Sequence, residues 1–536
     1  MRLPLARLAT LPCWFFFSLA LPVHAQPLAQ LPLDEQPCFP LKTVILDSGT
    51  DPLPTHLEDA LSLASKDTTD SPIGQCVGAQ GIQLLIDRVQ NALIEKGFIT
   101  SRVLAAPQNL QTGTLTLNVF MGKIHEIRWT DPPAGKLRRA HAWNTLPTGQ
   151  GDVLNLRDIE QALENFKRVP TAEADIQIAP ADEAGHSDLI ISHSQPRFLR
   201  LNLTLDDSGT PNTGKQQASL TLSYDNWLTL SDLFYLTVSQ DTGEGKLPGS
   251  RGTKSKTVYY AIPWGYQLLS LTHSQSSYFQ SVAGANDDVV YAGNSENAEI
   301  KLSRVLHRDS VGKTTGSIKA FSRQSFSYID QGELVDQHQA IGGWVWEIGH
   351  QRSVGSLHLD AHLSYKKGTG DFGAQPAYQE AFDEGTSRMR IWNADTTLTL
   401  PFTLEPVPFE YSFNWRYQLN KTRLLPQDLF SIGGRHTVRG FDGNSVLNGD
   451  RGWLVRNEIS TDVGHAHRLY IGIDKGVVNG PAAEFLPGKT LVGAVVGVRV
   501  NQPTFSYDLF WGGPLQSPQR FKTSQRTGGF QLSFQF

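Results

Sequence analysis

Few residues of this chain stand in an arrangement that could do chemistry. The stretch GGRHTVRGFDG, residues 433–443, sets Arg435 and Arg439 among four glycines, with Phe441 close behind Arg439. A guanidinium forms strong two-pronged hydrogen bonds with a carboxylate, and glycines let a backbone reverse tightly around such a contact. The ordinary alternative is a solvated loop arginine, and Arg435 fits that better than Arg439. His125 and Glu126 begin a zinc-protease pattern but lack its second histidine, and no G-x-S-x-G nucleophile turn is present. GEGKLPG, residues 243–249, has glycines without the strand–helix context of a phosphate loop. Cys38 and Cys76 have no CxxC or histidine cluster beside them, so no metal site is expected. No catalytic residue and no cofactor are expected, and the chain reads as something other than an enzyme.

The elements that would have to position these residues begin with an export signal. Arg2 and Arg7 precede the apolar run LATLPCWFFFSLALPV, and VHA ends at Ala25, so cleavage is expected between Ala25 and Gln26. The run is short for a membrane anchor and contains Pro12, and no later run is long enough for a transmembrane helix. Cys13 leaves with residues 1–25. The remaining pair, Cys38 and Cys76, is expected to form a disulfide in the oxidising compartment, with two free thiols as the alternative. It would close a loop of about 39 residues and stabilise by roughly 3–4 kcal/mol. The 536 residues carry a net charge of -5, which gives no bulk signal for a nucleic-acid partner. Charged residues make up 18 % against a typical quarter, and 48 glycines against 3 methionines suit strands and turns.

Two small α/β modules come next. LKTVILDSG reads as a strand. Leu57, Ala60, Leu61 and Ala64 then have helical spacing, and Ile82, Leu85, Ile86, Val89 and Leu93 form the stripe of a second helix that Gly97 ends. SRVLAAP and GTLTLNVFMG read as strands, the latter with Leu115, Leu117 and Val119 on one face. The order is β-α-α-β-β. A shorter copy follows: KIHEIRWT, a helix over LNLRDIEQALENFKRV with Ile159, Leu163 and Phe166 inward, then EADIQIAPA and HSDLIISHS. Such small sheets expose edge strands that can accept an extended peptide.

From Arg197 helical spacing gives way to alternation. FLRLNLTLDDSG places Leu199, Leu201, Leu203 and Leu205 on one face, and about sixteen such segments follow over roughly 340 residues, the density of an outer-membrane barrel. Short connections (NWLTL, PWGY, NQPT) alternate with long ones (residues 242–256, 276–294 and 366–389). A soluble sandwich would alternate along its strands too, with the apolar side inward, so the loop asymmetry carries more weight. The chain ends GGFQLSFQF, where Phe530, Leu532, Phe534 and Phe536 alternate up to a terminal aromatic. That ending looks like the insertion signal of outer-membrane barrels.

Export signal, two small modules and a barrel resemble the outer-membrane transporters of two-partner secretion (TpsB type), the haemolysin- and adhesin-secreting branch of the outer-membrane-protein-85 superfamily. The resemblance covers residues 38–536. NALIEKGFITSRVLAAPQNLQTGTLTLNVFMGKI is similar to the signature of the family's first POTRA module, and LNLRDIEQALENFKRVP to that of the second. The implied fold class is mixed: two small α/β POTRA domains followed by a 16-stranded antiparallel transmembrane β-barrel. The expected segments are residues 1–25 signal, 26–37 extension, 38–122 first POTRA domain, 123–196 second, and 197–536 barrel. Val438, Arg439, Gly440 and Phe441 match the family's V-R-G-[FY] motif, here in the sixth outer loop. The resemblance implies that this loop folds into the lumen, where Arg439 meets Asp474 of a wall motif matched by Gly472, Asp474 and Gly476. Asp450 and Arg451 are nearby charges that could compete. Members of the family often begin with a plug helix and linker; residues 26–37 are too short and proline-broken for both. Loops, chiefly the sixth, are therefore expected to obstruct the lumen, and deleting residues 26–37 is expected not to open it widely.

The resemblance implies an outer-membrane protein of a Gram-negative bacterium with periplasmic POTRA domains, embedded in outer-membrane lipid. Its partners would be one secreted exoprotein of the TpsA type (haemolysin, adhesin or contact-dependent toxin) and, during biogenesis, the barrel-assembly machinery. A barrel-assembly or insertion factor of the same superfamily is the alternative, less favoured because such factors usually carry a different number of POTRA modules.

Overall fold

The computed structural model describes residues 30–32, 34–64, 69–130, 143–210, 212–243, 251–283, 288–464 and 466–536. The expected signal, its cleavage position at Ala25–Gln26 and residues 26–29 of the extension lie outside them. The chain divides into two compact units, one of the described residues up to Leu93 with Ser101–Phe120, the other of Ile94–Thr100 with Met121–Phe536.

The first unit is a three-stranded sheet with one long helix. Strand β1 (Thr43–Asp47), helix α1 (Ala79–Glu95), β2 (Arg102–Leu104) and β3 (Thr114–Phe120) give the sheet order β1-β3-β2, with β1 parallel and β2 antiparallel to β3. Leu115, Leu117 and Val119 on β3 and Leu85, Val89 and Leu93 on α1 are all buried, as their spacings require. The expected first helix is absent among the described residues. Glu58–Leu61 forms a single 3-10 turn, and Leu63–Ala64 pairs with Thr69–Asp70 instead. One turn already buries both Leu57 and Leu61, so nothing offsets the cost of propagating so short a helix.

Cys38 and Cys76 are joined by a disulfide, with Cα atoms 5.2 Å apart. The bridge lies where Phe39–Pro40 pairs with Cys76–Val77, just before α1. Glu35 caps that helix: its carboxylate accepts from the N–H groups of Gly78 (2.7 Å), Gln80 (2.7 Å) and Gly81 (2.9 Å), orphan donors of a first turn. Leu31 is buried, and its N–H donates to Asp70, which also holds Arg88 of α1 at 2.6 Å. The described part of the extension is thus fastened to the first unit.

The second module opens the larger unit: β4 (Lys123–Trp129), α2 (Leu156–Phe166), β5 (Glu173–Pro180) and β6 (His186–Ser194), in sheet order β4-β6-β5. Ile159, Ala162 and Phe166 of α2 pack on Ile124, Leu189 and Ile191. Asn155 caps the helix, accepting from the Arg157 N–H at 2.8 Å.

Sixteen strands then close into an antiparallel barrel among the described residues. They are β7 (Leu199–Asp206), β8 (Gln217–Asp225), β9 (Leu233–Asp241), β10 (Arg251–Trp264), β11 (Gln267–Ala283), β12 (Asp288–Arg308), β13 (Gly312–Ile329) and β14 (Gln339–Val354). The second half comprises β15 (Leu357–Thr369), β16 (Arg390–Leu404), β17 (Val407–Asn420), β18 (Arg451–Asp462), β19 (His467–Asn479), β20 (Thr490–Asn501), β21 (Phe505–Gln516) and β22 (Thr527–Gln535). A two-residue strand, Gly332–Glu333, folds back on the end of β13. Closure joins β22 to β7, from Asn202 opposite Gln535 to Asp206 opposite Gln531.

The two faces of the wall decide between membrane barrel and soluble sandwich. Leu220, Leu222, Val258, Ile300, Ile318, Ile471 and Ile473 point outward and are exposed. The inner face carries hydroxyl pairs such as Ser219–Ser239 (2.7 Å) and Thr221–Thr237 (2.9 Å), and ion pairs such as Lys301–Glu347 (3.0 Å) and Lys319–Glu299 (3.1 Å). Apolar outside and polar inside is the arrangement for lipid. The residues read as a long loop over 276–294 are largely strand, because β11 and β12 continue through Ala283 and from Asp288. Ser, Gln and Asn occupy both faces there, so the alternation fades while the ladder continues. Residues 251–256 likewise belong to β10.

The second module is docked on the turn side of the barrel. Glu164 of α2 pairs with Lys313 (3.0 Å) and with Arg308, which flank the β12–β13 turn. Asn165 donates to the Gly265 carbonyl at 2.8 Å, and the Tyr266 hydroxyl donates to Asp158. Burial alone would raise the Glu164 carboxyl, but Lys313 and Arg308 outweigh it and hold it below the usual 4.5. A lowered carboxyl contributes its full stabilisation above its unfolded value and loses it as pH falls through the folded one. Nitroxides at Lys167→Cys and Ser310→Cys should therefore report one short distance at neutrality, which broadens as pH falls below the usual 4.5. Glu164→Gln should broaden it at neutral pH. An unchanged distance under both conditions would remove Glu164 from the dock.

Candidate functional site: the lumen arm and its ion network

The sixth outer connection, residues 421–450 between β17 and β18, is the longest of the barrel's described connections and folds back on itself. Phe430–Ile432 pairs with Leu447–Gly449, so the connection is a hairpin whose tip carries residues 433–446. Ile432, Val438, Phe441 and Leu447 are buried against Leu454, Val478 and Leu491, which come from β18, β19 and β20. On β19 the alternation turns Tyr470, Gly472, Asp474, Gly476 and Val478 inward, where all are buried, while Ile471 and Ile473 face out. The hairpin tip is what covers this inner face.

Arg439 is the polar anchor of that contact. Its Nε donates to Asp474 Oδ2 at 2.7 Å, one terminal nitrogen to Oδ1 at 2.8 Å, and its backbone N–H to Oδ2 at 2.9 Å. The other terminal nitrogen donates to Glu458 of β18. Glu458 also accepts from Arg499 of β20, whose Nε reaches Asp508 of β21 at 3.0 Å. Asp508 accepts from the Tyr470 hydroxyl at 2.7 Å, and the Arg499 guanidinium lies 3.9 Å from the Tyr470 ring centre. Arg456 stands 3.7 Å from Asp474. Asp474 is 0 % exposed and Arg439 5 %. Charges so far from water persist only when each has a partner of good geometry, and here three arginines and three carboxylates interleave.

The glycines explain how the arm comes so close. A Cβ at position 472 would stand 2.6 Å from the Arg439 guanidinium, and one at 476 would stand 2.8 Å from the Val438 side chain. Gly440 has φ +93°, a left-handed backbone, and a Cβ there would meet the Gly513 carbonyl at 2.5 Å. Gly440→Val should drive the tip off the wall, raising single-channel conductance in planar bilayers several-fold while secretion falls. Wild-type conductance in that variant would show that something other than this arm closes the lumen.

The structure brings Val438, Arg439, Gly440 and Phe441 against Gly472, Asp474 and Gly476. It does not bring in the competing charges: Asp450 accepts from the backbone of Leu424 and Ala482, and Arg451 is exposed. Arg435 is no solvated loop arginine, because it donates to Asp207 at 2.7 Å and to the Phe530 carbonyl. Phe530, Leu532 and Phe534 lie on the outward side of β22, beside Leu509, Tyr507 and Phe505. Phe536 follows, its backbone paired with Leu201. Glu458, Arg499, Asp508 and Tyr470 were missed from the sequence. The available signal was a charge at the inward phase of an otherwise apolar spanning strand, as in VVGVRVN and FSYDLFW.

Comparison with known proteins gives this geometry its context. The family model described as haemolysin secretion/activation protein ShlB/FhaC/HecB matches residues 185–500. The chain belongs to this family. A ShlB-type POTRA model matches residues 57–122 and a second POTRA model residues 123–180. The outer membrane transporter CdiB-2 of Burkholderia pseudomallei is 36 % identical over 518 residues, covering 94 % of this chain and 87 % of that one. The haemolysin transporter HpmB of Proteus mirabilis is 25 % identical over 466 residues, covering 85 % and 78 %. The solved structure of CdiB from Acinetobacter baumannii superposes with a TM-score of 0.82 at 30 % identity, covering 95 % and 94 %. The chain is therefore an outer-membrane transporter of two-partner secretion, its POTRA domains lying in the periplasm.

Proposed function

We propose that this transporter passes one unfolded TpsA-type exoprotein from the periplasm to the cell surface, and that its cargo is a contact-dependent toxin rather than a haemolysin. The higher identity to a CdiB transporter than to a haemolysin transporter supports the cargo class. The observation that carries the route is the packing of the arm on the inner wall. The arm is held against that wall through exchangeable ion pairs, so it can leave without unzipping the barrel. Arg439 and Asp474 act as its catch, with Val438, Gly440, Phe441, Gly472 and Gly476 giving it a seat. Capture begins at the POTRA edges, where β1 and β5 each pair with one neighbour among the described residues and can accept an extended segment as an added strand. Energy comes from the cargo folding outside. We assign no catalytic activity: the buried carboxylates Asp474 and Glu458 are engaged by arginines. Phe530, Leu532, Phe534 and Phe536 serve earlier, as the signal read by the barrel-assembly machinery.

The test is a pull-down from periplasmic extract with full-length protein in detergent as bait, read by mass spectrometry. One large, repeat-rich exoprotein held through its N-terminal region is the expected result. A spread of porins and other barrel precursors would instead make this an insertion factor and overturn the reading.

A further inference from the structure

Trp143 belongs to the second POTRA module, yet its indole lies on the outer perimeter of the barrel. It is 64 % exposed and stacks on Trp264, 63 % exposed, with ring centres 6.0 Å apart. Trp264 is the last residue of β10, in the same outward phase as Val258 and Ile262, so this stack continues the lipid-facing side of the wall. The adjacent Asn144 fixes the position. It is fully buried, and its amide donates to the carbonyl of Pro263 (2.9 Å) and to that of Leu230 in the β8–β9 turn. In that same turn Trp227 and Leu228 are each 55 % exposed, and Trp227 packs against Phe234 of β9 at 4.9 Å.

A patch of three tryptophans and a leucine left to water is unusual on a periplasmic surface. Tryptophan combines a large apolar ring with one N–H donor, which suits the boundary between lipid headgroups and acyl chains, and barrels carry aromatic girdles at that level. We propose that Trp143, with Trp264, Trp227 and Leu228, is a membrane foot by which the second POTRA module rests in the phospholipid leaflet at the periplasmic rim of the barrel. The occupant is lipid, because the patch is continuous with the outward apolar face of β8–β10 and is pinned to the turns of those strands. The foot adds a membrane contact to the Glu164 dock and restrains the module's tilt beneath the lumen.

The test uses the mature protein, without residues 1–25, in phospholipid nanodiscs with a nitroxide at Trp143→Cys; Cys38 and Cys76 are bonded to each other and take no label. Labels at Ile473→Cys on the outward wall and at Glu183→Cys on the β5–β6 hairpin give the lipid and water references. The label at 143 should collide with oxygen more often than with a water-soluble nickel chelate, like that at 473. As a check free of the label, phospholipids brominated near the headgroup should quench wild-type tryptophan emission more than that of Trp143→Phe. A label at 143 that behaves like that at 183, together with equal quenching in the two proteins, overturns the proposal. Exposure to water that disappears only when the captured exoprotein is added also overturns it, making the patch a cargo surface.

Discussion

Arg439→Ala lowers secretion of the captured exoprotein by at least about tenfold, while the protein still inserts as a heat-modifiable barrel. The physical reason is what the substitution leaves behind. Asp474, 0 % exposed, loses its two-pronged partner, and Glu458 keeps only Arg499. Stranding a buried partner costs on the order of 3–5 kcal/mol, and each 1.4 kcal/mol is about a factor of ten in an equilibrium. The arm then spends most of its time off the wall. The sixteen-strand ladder, which contains no atom of residue 439, is untouched. Arg439→Lys should fail almost as badly, because one ammonium cannot serve both oxygens of Asp474 and reach Glu458 as well. Secretion at the wild-type level in Arg439→Ala, with the barrel inserted, would sink the proposed catch.

Replacing both Cys38 and Cys76 by serine is expected to destabilise the first POTRA domain by roughly 3–4 kcal/mol on the loop-entropy estimate. For a domain of this size that is a drop in its melting temperature on the order of 15–25 °C. The effect should be local. The bridge joins the Phe39–Pro40 strand to the residues just before α1, all within the first compact unit. Limited proteolysis of the full-length protein at physiological temperature should therefore cut within residues 38–122 and spare the barrel. Cleavage at wild-type rates there would mean that the Glu35 cap and the Arg88–Asp70 pair suffice without the bridge. A mass spectrum of exported protein showing both thiols free would remove the disulfide itself.

Much of this transporter was legible because its signals are local and periodic. Leu115, Leu117 and Val119 alternate, Ile159, Leu163 and Phe166 recur at helical spacing, and the strands from Leu199 to Gln535 alternate against lipid. In each, one residue's neighbours along the chain fix which face it takes. The V-R-G-F and G-x-D-x-G stretches were legible for a different reason, their match to the family's motifs, and the structure shows why glycine stands there: arm and wall approach within a Cβ's width. Sequence alone settled the class of architecture and which loop carries the arginine. Tertiary structure decided the rest. Leu57 and Leu61 share helical spacing, but a single turn already buries them, so no helix forms. Residues 276–294 lack alternation, yet neighbouring strands supply the ladder that makes most of them strand. Glu458, Arg499 and Asp508 became one network with Arg439 only when the barrel closed, because partners on four different elements are related by register, which no spacing along the chain records. Trp143 took its place on the barrel's outer rim for the same reason: Asn144 finds its carbonyls in a turn and at a strand end that are distant in sequence and adjacent only in the fold.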